Sequence, residues 1–279
     1  MRRWRTLALL VPAGAVTFTA FAVPLVRLGR ISLVESRPSG ALSDTVTAAN
    51  YVAFATDSYY LQLLAHSVLL ATVVTTATLL CAFPLALFLA RVGLRWRPFF
   101  YALTVAPLLV SSVVRTYGWM ALLGDQGPVN DVLLAAGLVR APVRLVNSYV
   151  GVAIGLVEIL MPYMTLALVA GFGRLDPAYE EAAASLGAGP WTRLRRVVLP
   201  LAWPGITLGC LLCFVLAMSS FITPKLLGGG RVFLLATEIY DQAMVRLQWP
   251  MAATISVVVL AVFGTLSTAY AKIVRRFDT

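Results

Sequence analysis

Residues Ser67–Ala90 read SVLLATVVTTATLLCAFPLALFLA, 24 consecutive residues without a charged side chain. A helix rises about 1.5 Å per residue, so about 20 apolar residues cross the roughly 30 Å hydrocarbon layer of a bilayer. This stretch is long enough to do so. Working outward, the same signal recurs at Leu7–Val26, Val198–Thr223 and Leu247–Ala271, all uncharged, and at Pro98–Leu123 and Ser148–Gly173, which carry one charge each. The expectation is an all-α polytopic membrane protein with six transmembrane helices, about 7–26, 67–90, 98–123, 148–173, 198–223 and 247–271, forming a single transmembrane domain over 1–279.

Composition agrees. Of 279 residues 60% are hydrophobic and only 12% charged, with mean hydropathy +0.86, too little polar surface for a soluble domain of this length. The net charge of +10 would suit nucleic acid only on a solvated basic face, and here the basic residues punctuate apolar runs instead. MRRWR before the first run resembles the start of a signal peptide, but the run is long and no clear small-residue cleavage site follows it, so a retained span is expected. Cys81, Cys210 and Cys213 all lie inside apolar runs and are expected to pack as small residues, with no metal site and no disulfide.

Lys and Arg in the connections set orientation. With the N-terminus in the cytoplasm, thirteen of the 22 basic residues fall inside: Arg2, Arg3, Arg5, Arg91, Arg95, Arg97, Arg174, Arg193, Arg195, Arg196, Lys272, Arg275 and Arg276. Both termini and the loop 174–197 are then cytoplasmic. Outside lie the polar stretch 35–60, a run at 127–139 too short to span, and VFLLATEIYDQAMV, whose spacing predicts an amphipathic surface helix with Glu238 and Asp241 on its polar face. Trp4, Tyr59, Tyr60, Trp96, Tyr117, Trp119, Tyr149, Trp249 and Tyr270 fit an aromatic belt near span ends.

The inner loop is built as a rigid element. Asp176 suits an N-cap and Pro177 a first helical residue, with Glu180 and Glu181 near the positive end of the helix dipole. Ala182, Ala183 and Ala184 keep its sides small enough for another protein to approach closely. Gly187 and Gly189 stop it, and Pro190 starts a second helix leading to Pro200.

EAAASLGAGPWTRLRRVVLP resembles the coupling loop of permease subunits of ATP-binding-cassette importers, whose pattern is Glu-Ala-Ala, three residues, Gly, nine residues, Ile-x-Leu-Pro. Glu181, Ala182, Ala183, Gly187, Leu199 and Pro200 match, and Val197 stands for the Ile. The resemblance implies a type I importer permease fold in which Glu181, Ala182, Ala183, Ser185, Leu186, Gly187, Ala188, Leu199 and Pro200 couple to an ATPase partner. NYVAFATDSYYLQLLAHSVLLA, VRTYGWMALLGDQGPVN, LMPYMTLALVAGF, FITPKLLGGG and WPMAATIS narrow it to the spermidine/putrescine-type permeases, with His66-Ser67 where Asn-Ser or Arg-Ser is usual. That group also includes permeases for opines, compatible solutes, thiamine or iron. It implies a bacterial inner-membrane protein with a second permease subunit or a second copy, two ATPase subunits carrying ATP and Mg, and an extracytoplasmic solute-binding protein. Neither Lys225 nor Lys272 stands in a phosphate-cradling Gly-Lys-Ser/Thr, so no cofactor and no catalytic residue is expected on this chain. An ion-coupled secondary transporter would leave the loop unexplained, and a membrane enzyme would need more paired ionisable groups than the chain offers.

Charge within a span costs about 2.5–3.5 kcal/mol on insertion scales. Arg115 and Glu158 lie at similar depths, roughly 12 and 15 Å from the outer end of consecutive antiparallel spans, so they could meet. The readings are that Glu158 lines the solute path and attracts a cation, or that the two form a structural pair or Arg115 snorkels to the outer interface. His66 at a span entrance requires no special role.

Overall fold

The computed structural model describes residues 2–36, 42–173 and 176–275. Arg174, Arg276 and part of the polar stretch after the first span lie outside them, as do the side chains of Arg2, Arg3, Trp4, Arg5 and Arg275. Five helices are long and apolar enough to cross a membrane, and six if a bent pair counts as one span.

Packing divides the chain into two compact units, Met1–Gln62 with Glu238–Val262, and Leu63–Thr237 with Phe263–Thr279. The first contains α1 (Arg2–Ser32), a short antiparallel pair β1 (Val34–Ser36) and β2 (Leu42–Val46), and α2 (Ala49–Thr56). It also takes in the first turn of α3 (Ser58–Arg91) and the first half of α13 (Trp249–Arg275). Asn50 Nδ2 donates to the carbonyls of Ser32 and Val34 at 3.1 and 2.8 Å, and Thr254 Oγ1 donates to Ser32 O at 3.2 Å. The frayed end of α1 is thereby satisfied by side chains from α2 and α13. Phe54 stacks on Tyr60 with ring centroids 5.6 Å apart.

The last turn of α12 (Leu235–Tyr240), from Glu238 on, and the π turn Asp241–Val245 belong to this unit and correct the expected amphipathic surface helix. Glu238 is only 2% exposed and Gln242 is buried, whereas Met244 and Val245 are exposed. Tyr59 Oη donates to Glu238 Oε2 at 2.7 Å, Gln242 Nε2 donates to Glu238 Oε1 at 2.8 Å and to Tyr60 Oη at 3.2 Å, and Arg246 Nη1 stands 3.8 Å away. A buried carboxylate is tolerated where donors surround it, and here Gln242 and Arg246 lie one and two turns along while Tyr59 comes from far away in sequence. Tyr59 and Tyr60 therefore anchor this network through their hydroxyls, with the Tyr60 ring buried and the Tyr59 ring still exposed.

The second unit is organised around α7 (Tyr149–Phe172) and α10 (Leu199–Ser219). α7 starts where expected, with Ser148 Oγ accepting from Gly151 N at 3.1 Å. Gly171 faces Gly205, and Gly209 faces Met164, so small residues one turn apart let the backbones touch. α3 starts nine residues earlier than Ser67, because Asp57 Oδ1 accepts from Tyr59 N at 2.8 Å and caps it.

Two expected spans are interrupted. In place of one helix over 98–123 there are α4 (Arg97–Val105), a 3₁₀ turn at Ala106–Leu109 containing Pro107, and α5 (Ser112–Leu123) followed by α6 (Pro128–Ala135). Val110 and Ser111 are extended, and the two arms are bent by 92°. The fifth span stops at Ser219, where Ser220 is extended, and α11 (Ile222–Leu227) packs separately, its Thr223 and Leu227 against Gly155 of α7. A tight turn at Gly228–Gly230 follows: Gly229 has φ +51, and a Cβ there would collide with Asn147 Oδ1.

Candidate functional site

The loop between α7 and α10 folds as α8 (Pro177–Ser185) and α9 (Pro190–Arg193), with a π turn Leu194–Val198 feeding α10. Asp176 Oδ1 accepts from Ala178 N at 2.9 Å, and Gly187 at φ +81 reverses the chain after α8. Both are the caps the sequence calls for. Glu181, Ala182, Ser185 and Gly187 are exposed, and Ala183 and Ala188 half-buried. Leu186 is 89% exposed at the tip, with Trp191 and Tyr179 also exposed nearby. Leu199 and Pro200 open α10 rather than standing on the knob. The exposed surface thus combines the small Ala182 and Gly187 with the apolar Leu186, Trp191 and Tyr179, and the polar Glu181 and Ser185 stand among them.

Sequence reasoning did not foresee that Arg91, the last residue of α3, holds this element from outside. Its Nη2 donates to Glu180 Oε1 and Oε2 at 3.1 and 3.0 Å.

Within the membrane-spanning helices Arg115 of α5 and Glu158 of α7 do meet, Nη1 to Oε1 at 3.3 Å, with side chains 13% and 30% exposed. Trp119 joins them, its Nε1 donating to Glu158 Oε2 at 3.2 Å. It stands four residues after Arg115, hence on the same helix face, which is the sequence signal that could have found it. Glu158 also borders a cavity of about 230 Å³, whose wall otherwise includes Leu85, Phe100, Leu103 and Pro107. Met161, Pro162 and Thr165 line it too, three, four and seven residues after Glu158 on one face of α7. Arg115 and Trp119 do not line it, so the carboxylate separates cavity from counter-ion.

Other singled-out residues stay structural. The His66 ring lies 5.7 Å from that of Tyr149, and Cys213 Sγ donates to Leu160 O at 3.8 Å. Trp96, Tyr117 and Trp249 are exposed, as belt residues should be.

Residues 78–277 match the model of the binding-protein-dependent transport system inner membrane component family. The chain belongs to this family. It is 32% identical over 248 residues to the spermidine/putrescine transport system permease protein PotB of Haemophilus influenzae, covering 89% of this chain and 86% of that one. It is 35% identical over 214 residues to PotB of Escherichia coli K12, covering 77% and 78%. Among solved structures, a bacterial alginate ABC transporter in complex with an alginate pentasaccharide-bound periplasmic protein contains a chain that superposes with TM-score 0.76 at 16% identity, covering 99% of this chain and 95% of that one. The fold is that of a type I ABC importer permease, and the protein is a multi-pass inner-membrane permease subunit. The bent third span and the α8–α9 knob are parts of that transport component.

Proposed function

We propose that this permease forms half of an import pathway for a small aliphatic polycation of the spermidine/putrescine class. The observation that carries it is Glu158 on the wall of a cavity that is otherwise almost entirely apolar. A methylene chain with ammonium ends needs apolar walls for the chain and a carboxylate for the charge. Glu158 has about four acceptor sites, and its two contacts with Arg115 and Trp119 leave capacity on the cavity side. The PotB relatives, named as spermidine/putrescine transport permeases, support the same solute.

The remaining parts follow the family's logic. A second permease, homologous or identical, completes the pathway, a solute-binding protein delivers the polycation, and two ATPase subunits carry ATP and Mg. The clustering of basic residues in 91–97, 174–196 and 272–276 supports a cytoplasmic position for α8 and both termini. There Glu181, Ala182, Ala183, Ser185, Leu186, Gly187 and Ala188 seat against an ATPase, and Leu199 and Pro200 carry the movement into α10. Closure of the ATPases then shifts the helices between inward- and outward-facing arrangements. This chain performs no hydrolysis itself.

The test is uptake by the full complex carrying Glu158→Gln. A charge-assisted bond is worth about 1.5–3 kcal/mol, so the apparent KM for the polycation rises by about tenfold or more. Unchanged KM and rate would remove Glu158 from the path, and absence of polycation uptake by the wild-type complex would redirect the substrate.

A further inference from the structure

α8 is joined through the chain to α7 on one side and to α10 on the other. α3 has no such connection, yet its last residue, Arg91, grips Glu180 in the first turn of α8 with one guanidinium nitrogen bridging both carboxylate oxygens. The two helix ends favour the pair, since Arg91 sits at a negative helix terminus and Glu180 at a positive one. Among the described residues no other side-chain hydrogen bond reaches α8 from a spanning helix. Arg91 and Glu180 themselves line a cavity of about 490 Å³ between α3, α7 and α8, whose wall also holds the charged Asp176, Glu181 and Arg193, so the ion pair bridges a gap that packing leaves open.

Energy argues against a role in stability. Arg91 and Glu180 are 58% and 29% exposed, and exposed pairs contribute about 0–1 kcal/mol. The pair matters for what it connects.

We infer that Arg91 and Glu180 are positioning residues that make α3 a third carrier of the coupling-loop movement. α3 is a 34-residue helix, about 50 Å long, that stays helical through Pro84, so displacement at its loop end is passed along the helix even though that proline removes one backbone hydrogen bond. When α8 moves, the bridge draws the end of α3 with it, and α3 shifts together with α7 and α10 instead of lagging. This rests on the coupling reading above.

The experiment uses the complete transporter in proteoliposomes, with solute uptake and ATP hydrolysis measured in parallel. Arg91→Glu and Glu180→Arg each cut solute moved per ATP about fivefold, the low end of coupling between sites, while hydrolysis stays within about twofold. The double reversal R91E/E180R restores at least about half of the lost ratio. Arg91→Gln and Glu180→Gln, which remove the bridge without opposing like charges, lower the ratio similarly and serve if a reversal variant does not assemble. A merely steadying contact would lower hydrolysis and uptake together. Wild-type stoichiometry in the single variants, parallel loss of both activities, or no recovery in the double reversal overturns the proposal. Uptake by the wild-type complex that does not depend on ATP defeats the coupling reading itself, whatever the variants do.

Discussion

Gly171 and Gly205 meet backbone to backbone: a Cβ on Gly171 would stand 2.8 Å from the Cα of Gly205, and one on Gly205 would stand 2.6 Å from the Cα of Gly171. No rotamer change relieves such a contact, because both partners are main chain. The pair fixes how closely α7 and α10 approach, immediately before the loop that both helices flank. Gly205→Ala is expected to cost about 1–3 kcal/mol by overpacking and to lower the thermal midpoint of the detergent-solubilised protein. Gly264→Ala, where a Cβ meets nothing within 4 Å, is the control and leaves the midpoint unchanged or slightly raised.

Trp119→Phe keeps the ring and removes the N–H that Glu158 Oε2 accepts. The bond orients the carboxylate without touching the solute, so only part of its roughly 1.5–3 kcal/mol reaches binding, and apparent affinity for the polycation falls about fivefold. The effect should be smaller than that of Glu158→Gln. Uptake kinetics at varied solute concentration separate the two.

Glu238→Ala leaves the Tyr59 hydroxyl and the Gln242 amide of the first unit without their shared acceptor in a buried site. Orphaned donors cost about 1–3 kcal/mol each, so the variant should lose several degrees of thermal stability. Glu238→Gln retains shape and hydrogen-bonding capacity and is expected to be milder. Equal losses in both variants would show that the negative charge itself, not the acceptor geometry, holds the network.

Ala182 is exposed on α8, so Ala182→Trp should change the stability of the isolated permease by no more than about 0.5 kcal/mol. The added ring obstructs close approach to the small-sided face. Co-purification of the ATPase subunits should therefore fall sharply while membrane insertion and yield persist. Retained ATPase binding and uptake would remove α8 as the docking element.

The stop signals of the α8 knob were legible because capping is local. Asp176 bonds an amide two residues away, and Gly187 takes a positive φ that only its own missing Cβ explains. The meeting of Arg115 with Glu158 was legible as a possibility, since two costly charges at one depth in consecutive spans invite pairing. The third partner, Trp119, was taken for a belt residue because aromatic side chains at span ends look alike in sequence whether they face lipid or a carboxylate. The same ambiguity hid Tyr59 and Tyr60. Glu238 misled in the opposite sense: two acids three residues apart, Glu238 and Asp241, suggest a face toward water, unless a donor arrives from a segment 179 residues away.

By itself the sequence determined that this is a helical membrane protein, roughly where its helices run, and where its rigid loop stands. Hydrophobicity and capping act over one or two turns and leave their mark residue by residue. Tertiary structure alone decided that the third span bends by 92° at Pro107–Ser111, that Glu238 turns inward, and that Arg91 reaches Glu180. Each of those depends on groups brought together by packing, and the cost of a broken ladder or a buried charge is met only by partners that the fold supplies.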